Sequence, residues 1–464
     1  NYDPRRLIAD TTRIVRAEKA LFGELPYSAY TIILHLVPGG SGGLEHREGT
    51  VLVADRWAFR GQGYESFLAL VAHELFHAWN GKRIRPAVLG PFDYVRETYT
   101  RELWVVEGIT SYYTDVILRR AGLLSRQRYL DRQAEQVTRL MGIPGRMVQP
   151  LEDASFDTWI KFYRPDSNSP NATISYYHKG ALVALLLDLE IRRATANARS
   201  LDDVMRALWA EFGRADVGFP EGRVEMLASE VAGVDLKPLF DRWLRTPAEL
   251  DFAPQLAAAG LALVPAHEAR LGAGGATPAA VAQGVAAGKP DAAGQASTAG
   301  QPIAAVQPSA AGAQVGASGI ASGSAGAGPA PQASPAEPGA WAAPAEREVR
   351  VGFQFKMDGG KTVVGNVLAG TPAWRAGVNA GDELVALDGI RVDAMSIGAR
   401  LQERAPGSVV TLTVFRRDEL INLTLPVESG PPQRLVVRRV DAPSPEQNAL
   451  LEHWLRVEPA PEAG

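Results

Sequence analysis

The chain has 464 residues, with Lys+Arg 48 against Asp+Glu 52, a net charge of -4 and no cysteine. That length exceeds one ordinary core, so two or three domains are expected, and the charge balance offers no basic stripe for nucleic acid. Zero cysteine excludes disulfides, thiolate metal sites and a cysteine nucleophile, so a catalytic metal would have to be held by His, Asp or Glu.

Residues 1 to about 265 carry six of the nine tryptophans and long periodic stretches, which predicts one globular domain over 1–270. It opens on Asn1-Tyr2-Asp3-Pro4, which reads as the start of a fragment; the compartment is unknown, with bacterial periplasm and cytoplasm both open. No apolar run reaches the roughly 18 residues that a membrane span needs. A strand-like "AYTIILHLV" is followed by "GGSGGLEHRE", whose four glycines would let the backbone pass close to a substrate. Next, "VAHELFHAWNGKRIRP" lies in a stretch whose apolar residues at 67, 68, 70, 71, 75, 76 and 79 predict a buried helix over Ser66 to Asn80. His73 and His77 stand at i and i+4, so both imidazoles leave one face about a turn apart, with Glu74 beside them as a candidate general base. Two core histidines would give the same spacing.

A third ligand has to come from elsewhere. The long pattern with a third histidine wants Gly at 80 and His at 83, where this sequence has Asn80 and Arg83. The remaining option is a carboxylate from a second helix, over "ELWVVEGITSYYTDVILRRAG" (102–122). Glu107 sits among Trp104, Val105, Val106 and Ile109, where an ionised carboxylate is costly unless a cation accompanies it. Glu102 is the alternative. If such a metal activates water against a carbonyl, the oxyanion formed needs a donor besides the metal. "SYYHKG" supplies Tyr176 and Tyr177 at the start of an apolar helix, and a phenol keeps its proton at neutral pH.

From about 272 the sequence turns to Ala, Gly, Pro, Ser and Gln, which predicts a flexible linker over 271–346. Order resumes at "REVRVGFQF". In "GTPAWRAGVNAGDELVALDGIRV", Thr371-Pro372 starts a helix, Ala380-Gly381-Asp382 makes a turn and Asp388-Gly389 closes a strand pair. Residues 347–430 closely resemble a PDZ domain. In that fold Gly352, Phe353 and Phe355 would form the carboxylate-binding loop and first groove strand, facing Ile397 and Leu401 of the "DAMSIGARLQE" helix, where the C-terminus of a peptide could add as a strand. The tail, 431–464, contains a short amphipathic helix opened by Ser444-Pro445, with Leu450, Leu451 and Trp454 on its apolar side.

Taken together, "HELFHAWNGKRIRP", "LWVVEGITSYY" and "ISYYHKGALVALLLDLEIR" resemble the glycyl aminopeptidase family of gluzincin zinc metallopeptidases. The resemblance covers residues 1 to about 260 and again 348–430. It implies an α+β protein: a thermolysin-like, mostly helical zinc peptidase domain, then a small β-rich PDZ domain after a disordered linker. The family also has a β-rich domain before the catalytic one, which this sequence is expected to lack. Carried over, the resemblance implies one Zn2+ per molecule held by His73, His77 and Glu107, with Glu74 activating water. The family's Y-x-K-G element points to Tyr177 as oxyanion donor, leaving His178 structural. Glu45 in "GGLEH" is similar in placement to the acid of the Gly-x-Met-Glu-Asn element, differing at Leu44 and His46, and would hold the substrate's free amino terminus. The implied activity is removal of N-terminal glycine, or alanine, from peptides. A zinc endopeptidase, which would not need Glu45, and an inactive PDZ-guided peptide binder are the rival readings.

Overall fold

The computed structural model describes residues 2–267, 348–405, 407–430 and 434–458, so the predicted linker lies outside the described residues. The first helix, α1 (Pro4–Phe22), starts where the Asp3 carboxylate accepts the Arg5 and Arg6 amides, and it ends at Gly23 in the left-handed conformation. A three-stranded sheet follows, of β1 (Thr31–Val37), β2 (Ser41–His46) and β3 (Gly49–Asp55), in the order β1-β3-β2. β3 runs parallel to β1 and antiparallel to β2, which leaves β2 on an edge.

The helix expected over Ser66–Asn80 runs instead from Gly61 to Phe76 (α2), with His77 as its C-cap. His77 keeps helical angles (φ -62, ψ -18), so the one-turn spacing to His73 survives the earlier end. The backbone then turns tightly through Gly81, whose φ of +114 only glycine adopts readily. The helix expected over 102–122 begins as a π-helical segment, Trp104–Ile109, and continues as α3 (Thr110–Arg120). α4 (Arg126–Met141) and α5 (Tyr176–Ala194) complete the frame. α5 crosses the π-helical segment at two glycines: a Cβ on Gly108 would lie 2.6 Å from the Gly180 Cα. That close approach brings the tyrosines at the start of α5 up to the segment carrying Glu107.

The tail does more than its sequence suggests. β4 (Leu261–Pro265) is the last described strand before the linker, and the backbone returns to pair with it through β13 (Leu435–Arg439), antiparallel. α7 (Pro445–Trp454), capped by a Ser444 and Gln447 capping box, then places Leu450, Leu451, Trp454 and Leu455 in the same core as α2, α3 and α5. The Trp454 indole donates to the Tyr112 hydroxyl (3.0 Å), which donates to Asp188 (2.7 Å). Sequence periodicity shows an apolar face on this helix; its partners lie hundreds of residues upstream and leave no local trace.

Between the two returns sits the PDZ unit. β5 (Glu348–Arg350) pairs with β12 (Glu428–Gly430). The main sheet has β6 (Phe353–Asp358), β7 (Lys361–Val367), β8 (Glu383–Leu387), β10 (Val409–Arg416) and β11 (Glu419–Pro426) in the order β11-β10-β8-β7-β6. β9 (Ile390–Arg391) pairs with β8 through Asp388 and Gly389, both at positive φ as a type I′ turn requires. Asp382, buried at the predicted turn, is paired with Arg416 (2.7 Å). Of the five groove candidates, Gly352 has φ +83 and its carbonyl accepts the Leu368 amide; Phe353 is half-buried, and Phe355 on edge strand β6 is exposed. Ile397 and Leu401 of α6 (Ile397–Gln402) are buried in the PDZ core. Asn171 of the peptidase unit spans to this module, donating to the Val367 carbonyl (2.8 Å) and accepting the Ala369 amide (2.8 Å). Among the described residues no helix is long and apolar enough to cross a membrane.

Because β13 and α7 belong to the peptidase core, a protease site engineered between 271 and 346 should yield two pieces that co-elute on native gel filtration and separate only in denaturant. Trp454→Ala, which empties a core position at a cost of about 3–5 kcal/mol, should weaken that association. Free separation of the cut parent under native conditions would contradict this packing.

Candidate metal centre

The His73 Nε2 and His77 Nε2 each lie 3.3 Å from the Glu107 Oε2. A tetrahedral ion with bonds of about 2.0–2.1 Å has ligand atoms about 3.3 Å apart, so each imidazole nitrogen stands from the carboxylate oxygen at the separation such an ion requires. The far side of each ring is also committed. The His77 Nδ1 donates to the Asn80 carbonyl (2.8 Å). The His73 Nδ1 meets the Thr114 hydroxyl (3.3 Å), whose own proton goes to the Thr110 carbonyl (2.9 Å). Both Nδ1 atoms therefore carry a proton, and both Nε2 atoms, the ones free to bind a metal, face Glu107. The residues present fit a divalent metal.

Electrostatics agree. Burial works to raise the Glu107 carboxyl, but His77 and His73 outweigh it and hold the group below the usual carboxylate range. Burial lowers His73; for His77 the Glu107 charge outweighs burial and lifts it to about 10. Positive charge is thus wanted at this point, whether from a proton or a metal. The Glu102 alternative is carried away from the site, its Oε1 accepting the Gly222 amide at 2.9 Å.

Glu74 lies between this cluster and β2. Its Oε2 is buried without a hydrogen-bond partner, and burial pushes the carboxyl up to about 8. A Cβ on Gly43 would come within 2.2 Å of the Glu74 Oε1, so the glycine in β2 is what lets the strand lie against that carboxylate. Glu45, two residues on, has a carboxylate oxygen grouped with ligand atoms of Glu74 and His77, all within 4.8 Å of one another. That second cluster is the poorer metal site, because Glu45 already pairs with the Lys82 ammonium at 2.9 Å.

The adjacent tyrosines part ways. Tyr176 is buried, and its hydroxyl accepts from Thr158 (3.0 Å) and meets Tyr163 (3.4 Å). Tyr177 stacks beside the His73 ring with centroids 6.1 Å apart and lines, with His73 and Thr114, a cavity of about 280 Å³. Burial, then the nearby Glu107 charge, raises its phenol well above the ordinary value, so it stays a donor. His178 turns away to donate to the Gln136 carbonyl (2.8 Å). Asn80, Thr114, Tyr163 and Lys82 were not singled out from the sequence. Of these only Asn80 left a signal, an amide placed just before a turn-forming glycine.

Residues 66–183 match the profile of the M61 glycyl aminopeptidases, and residues 349–427 match that of PDZ domains. The protein has an M61-type peptidase domain and a PDZ domain. A solved structure described as an aminopeptidase N family protein from Idiomarina loihiensis superposes with a TM-score of 0.76 at 28% identity, over 98% of this chain and 67% of that one. An M1 zinc metallopeptidase from Deinococcus radiodurans shares 17% identity over 52% of this protein and 45% of that one, with a TM-score of 0.36. No curated protein matches. The M61-type domain is a peptide hydrolase of the aminopeptidase kind, and His73, His77 and Glu107 are the residues in it that would hold a metal.

His73→Ala, His77→Ala and Glu107→Ala should each strip the metal from the M61-type domain, whereas Glu74→Gln should keep full occupancy and lose turnover. Metal analysis of the purified variants checks both arms, and full occupancy in Glu107→Ala would remove it from the ligand set.

Proposed function

We propose that the protein is a zinc aminopeptidase that removes N-terminal glycine, or alanine, from peptides. The zinc assignment rests on two imidazole Nε2 atoms and one carboxylate oxygen converging at 3.3 Å, a donor set and separation that suit a tetrahedral ion with an open position. The observation that supports the aminopeptidase reading is Glu45, a carboxylate within reach of Glu74 and His77, which is proposed to cap a substrate at its free ammonium. An endopeptidase has no use for a fixed negative charge there. The preference for glycine follows from the M61 likeness.

A bound zinc ion would polarise the scissile carbonyl and make water a better nucleophile. Glu74 takes the proton from the attacking water and returns it to the leaving amine, its buried Oε2 left without any hydrogen-bond partner of its own. Tyr177 donates its hydroxyl to the oxygen on which charge develops. The backbone of edge strand β2 is free to pair with an extended peptide, which would lay the substrate's first residues between Glu45 and Tyr177. In the PDZ unit, Gly352, Phe353 and Phe355, with Ile397 and Leu401 behind them, are proposed as a groove for a C-terminal peptide, supported by β6 lying on the sheet edge.

The test compares a glycyl amide with its N-acetyl counterpart. The parent should cleave only the free amine. A charge-assisted hydrogen bond of about 1.5–3 kcal/mol makes Glu45→Gln lose about 10- to 150-fold in kcat/KM, with zinc content unchanged. Equal cleavage of the blocked peptide by the parent would make the protein an endopeptidase. Tyr177→Phe keeps the ring and removes the donor, so kcat should fall on the order of 100-fold with little change in Tm; the same loss in Tyr176→Phe instead would transfer the role to its neighbour.

A further inference from the structure

We infer that Lys82 is a resident cation in the amine subsite, which the substrate's ammonium has to displace; this rests on the assignment of Glu45 as the amine-binding group. Three basic residues follow the metal helix in "NGKRIRP", and the fold uses them differently. The Arg83 guanidinium is buried and donates to the Ala78 (2.7 Å) and Arg47 (3.0 Å) carbonyls. Arg85 is committed to Asp216 (2.7 Å). Lys82 alone points at the site: its amide is fixed to the His77 carbonyl (3.2 Å), and its ammonium lies 2.9 Å from the Glu45 Oε1 and 5.0 Å from the centre of the Phe92 ring.

A primary ammonium held by a carboxylate and an aromatic face is the chemistry expected of a bound peptide amino terminus. Here a lysine of the protein supplies it. The Lys82 side chain is 15% exposed and Glu45 25%, so the pair sits at the rim, where a four-carbon stem can swing its charge into water. Two ammonium groups on one carboxylate would repel at close range in a partly dry site. Binding of a free amino terminus is therefore an exchange of one cation for another. Lys82 weakens the affinity for every free amine, while a blocked peptide meets the pair closed.

The experiment uses the zinc-loaded full-length protein. Lys82→Met keeps the stem over Phe92 and removes the charge, so KM for the glycyl amide should fall about fivefold or more with kcat little changed, as expected for loss of a partly exposed competing ion pair. The N-acetyl substrate should remain uncleaved. Calorimetry of glycinamide on Glu74→Gln, with and without Lys82→Met, should show tighter binding by a similar factor without any turnover. An unchanged or raised KM, together with unchanged or weaker glycinamide binding, would overturn the displacement and make Lys82 a positioning residue for Glu45. If Glu45→Gln loses discrimination while Lys82→Met fails in this way, the amine site stands and only the exchange is lost. If Glu45→Gln keeps full discrimination, the amine is held elsewhere and the inference falls with it.

Discussion

The side chain of Asn80 links the two halves of the candidate metal centre. Its amide donates to the Val105 and Val106 carbonyls (2.8 and 3.1 Å) and to the Thr110 hydroxyl (3.0 Å), while its backbone carbonyl takes the His77 ring proton. The π-helical stretch around Glu107 is a widened turn, and such turns leave carbonyls that need donors. Asn80 supplies them from the segment that has just left α2. One residue thus sets both the tautomer of a ligand on the first helix and the aim of the carboxylate on the second. Without that link, an ionised Glu107 in an apolar wall would have no fixed distance to either imidazole.

The candidate site was legible as far as its members are marked locally. His73, Glu74 and His77 follow from helical spacing and Glu107 from a carboxylate standing among four apolar residues, and the structure brings the ligand atoms of His73, His77 and Glu107 together. The caps at Thr371, Ser444 and the Asp388-Gly389 turn were legible for the same reason: each is a short-range rule about one backbone conformation. What escaped depends on contacts between distant segments. Lys82 reads as one more surface charge until β2 carries Glu45 to within 2.9 Å of it. Gly43 reads as a loop residue until Glu74 is found against its α-carbon. The choice between Tyr176 and Tyr177 turns on which ring the Gly108 and Gly180 crossing presents to His73, and adjacency in sequence says nothing about that.

The PDZ unit also reads differently once the fold is known. Composition suggests a module on a tether, yet β13 returns to β4 directly after it, and Asn171 bonds its backbone at Val367 and Ala369. Asn171 lies four residues before Ser175, whose hydroxyl caps α5 and so sets where Tyr177 begins. The bonds to the PDZ unit and the proposed oxyanion donor are therefore separated by one short stretch of backbone.

The pairing of β4 with β13 has a consequence for how the molecule is made. Everything between residues 265 and 435, the PDZ unit included, is an insertion between two paired strands. The polypeptide emerges in order from its N-terminus. The segment bearing His73, Glu107 and Tyr177 is therefore complete long before Trp454 exists to fill the space beside Tyr112. During synthesis the peptidase half waits with an open core while the PDZ half, whose own core lies within residues 349–427, can close by itself. Helix α7 packs into the peptidase core, so a nascent polypeptide that has not yet reached it holds the proposed catalytic residues without that packing.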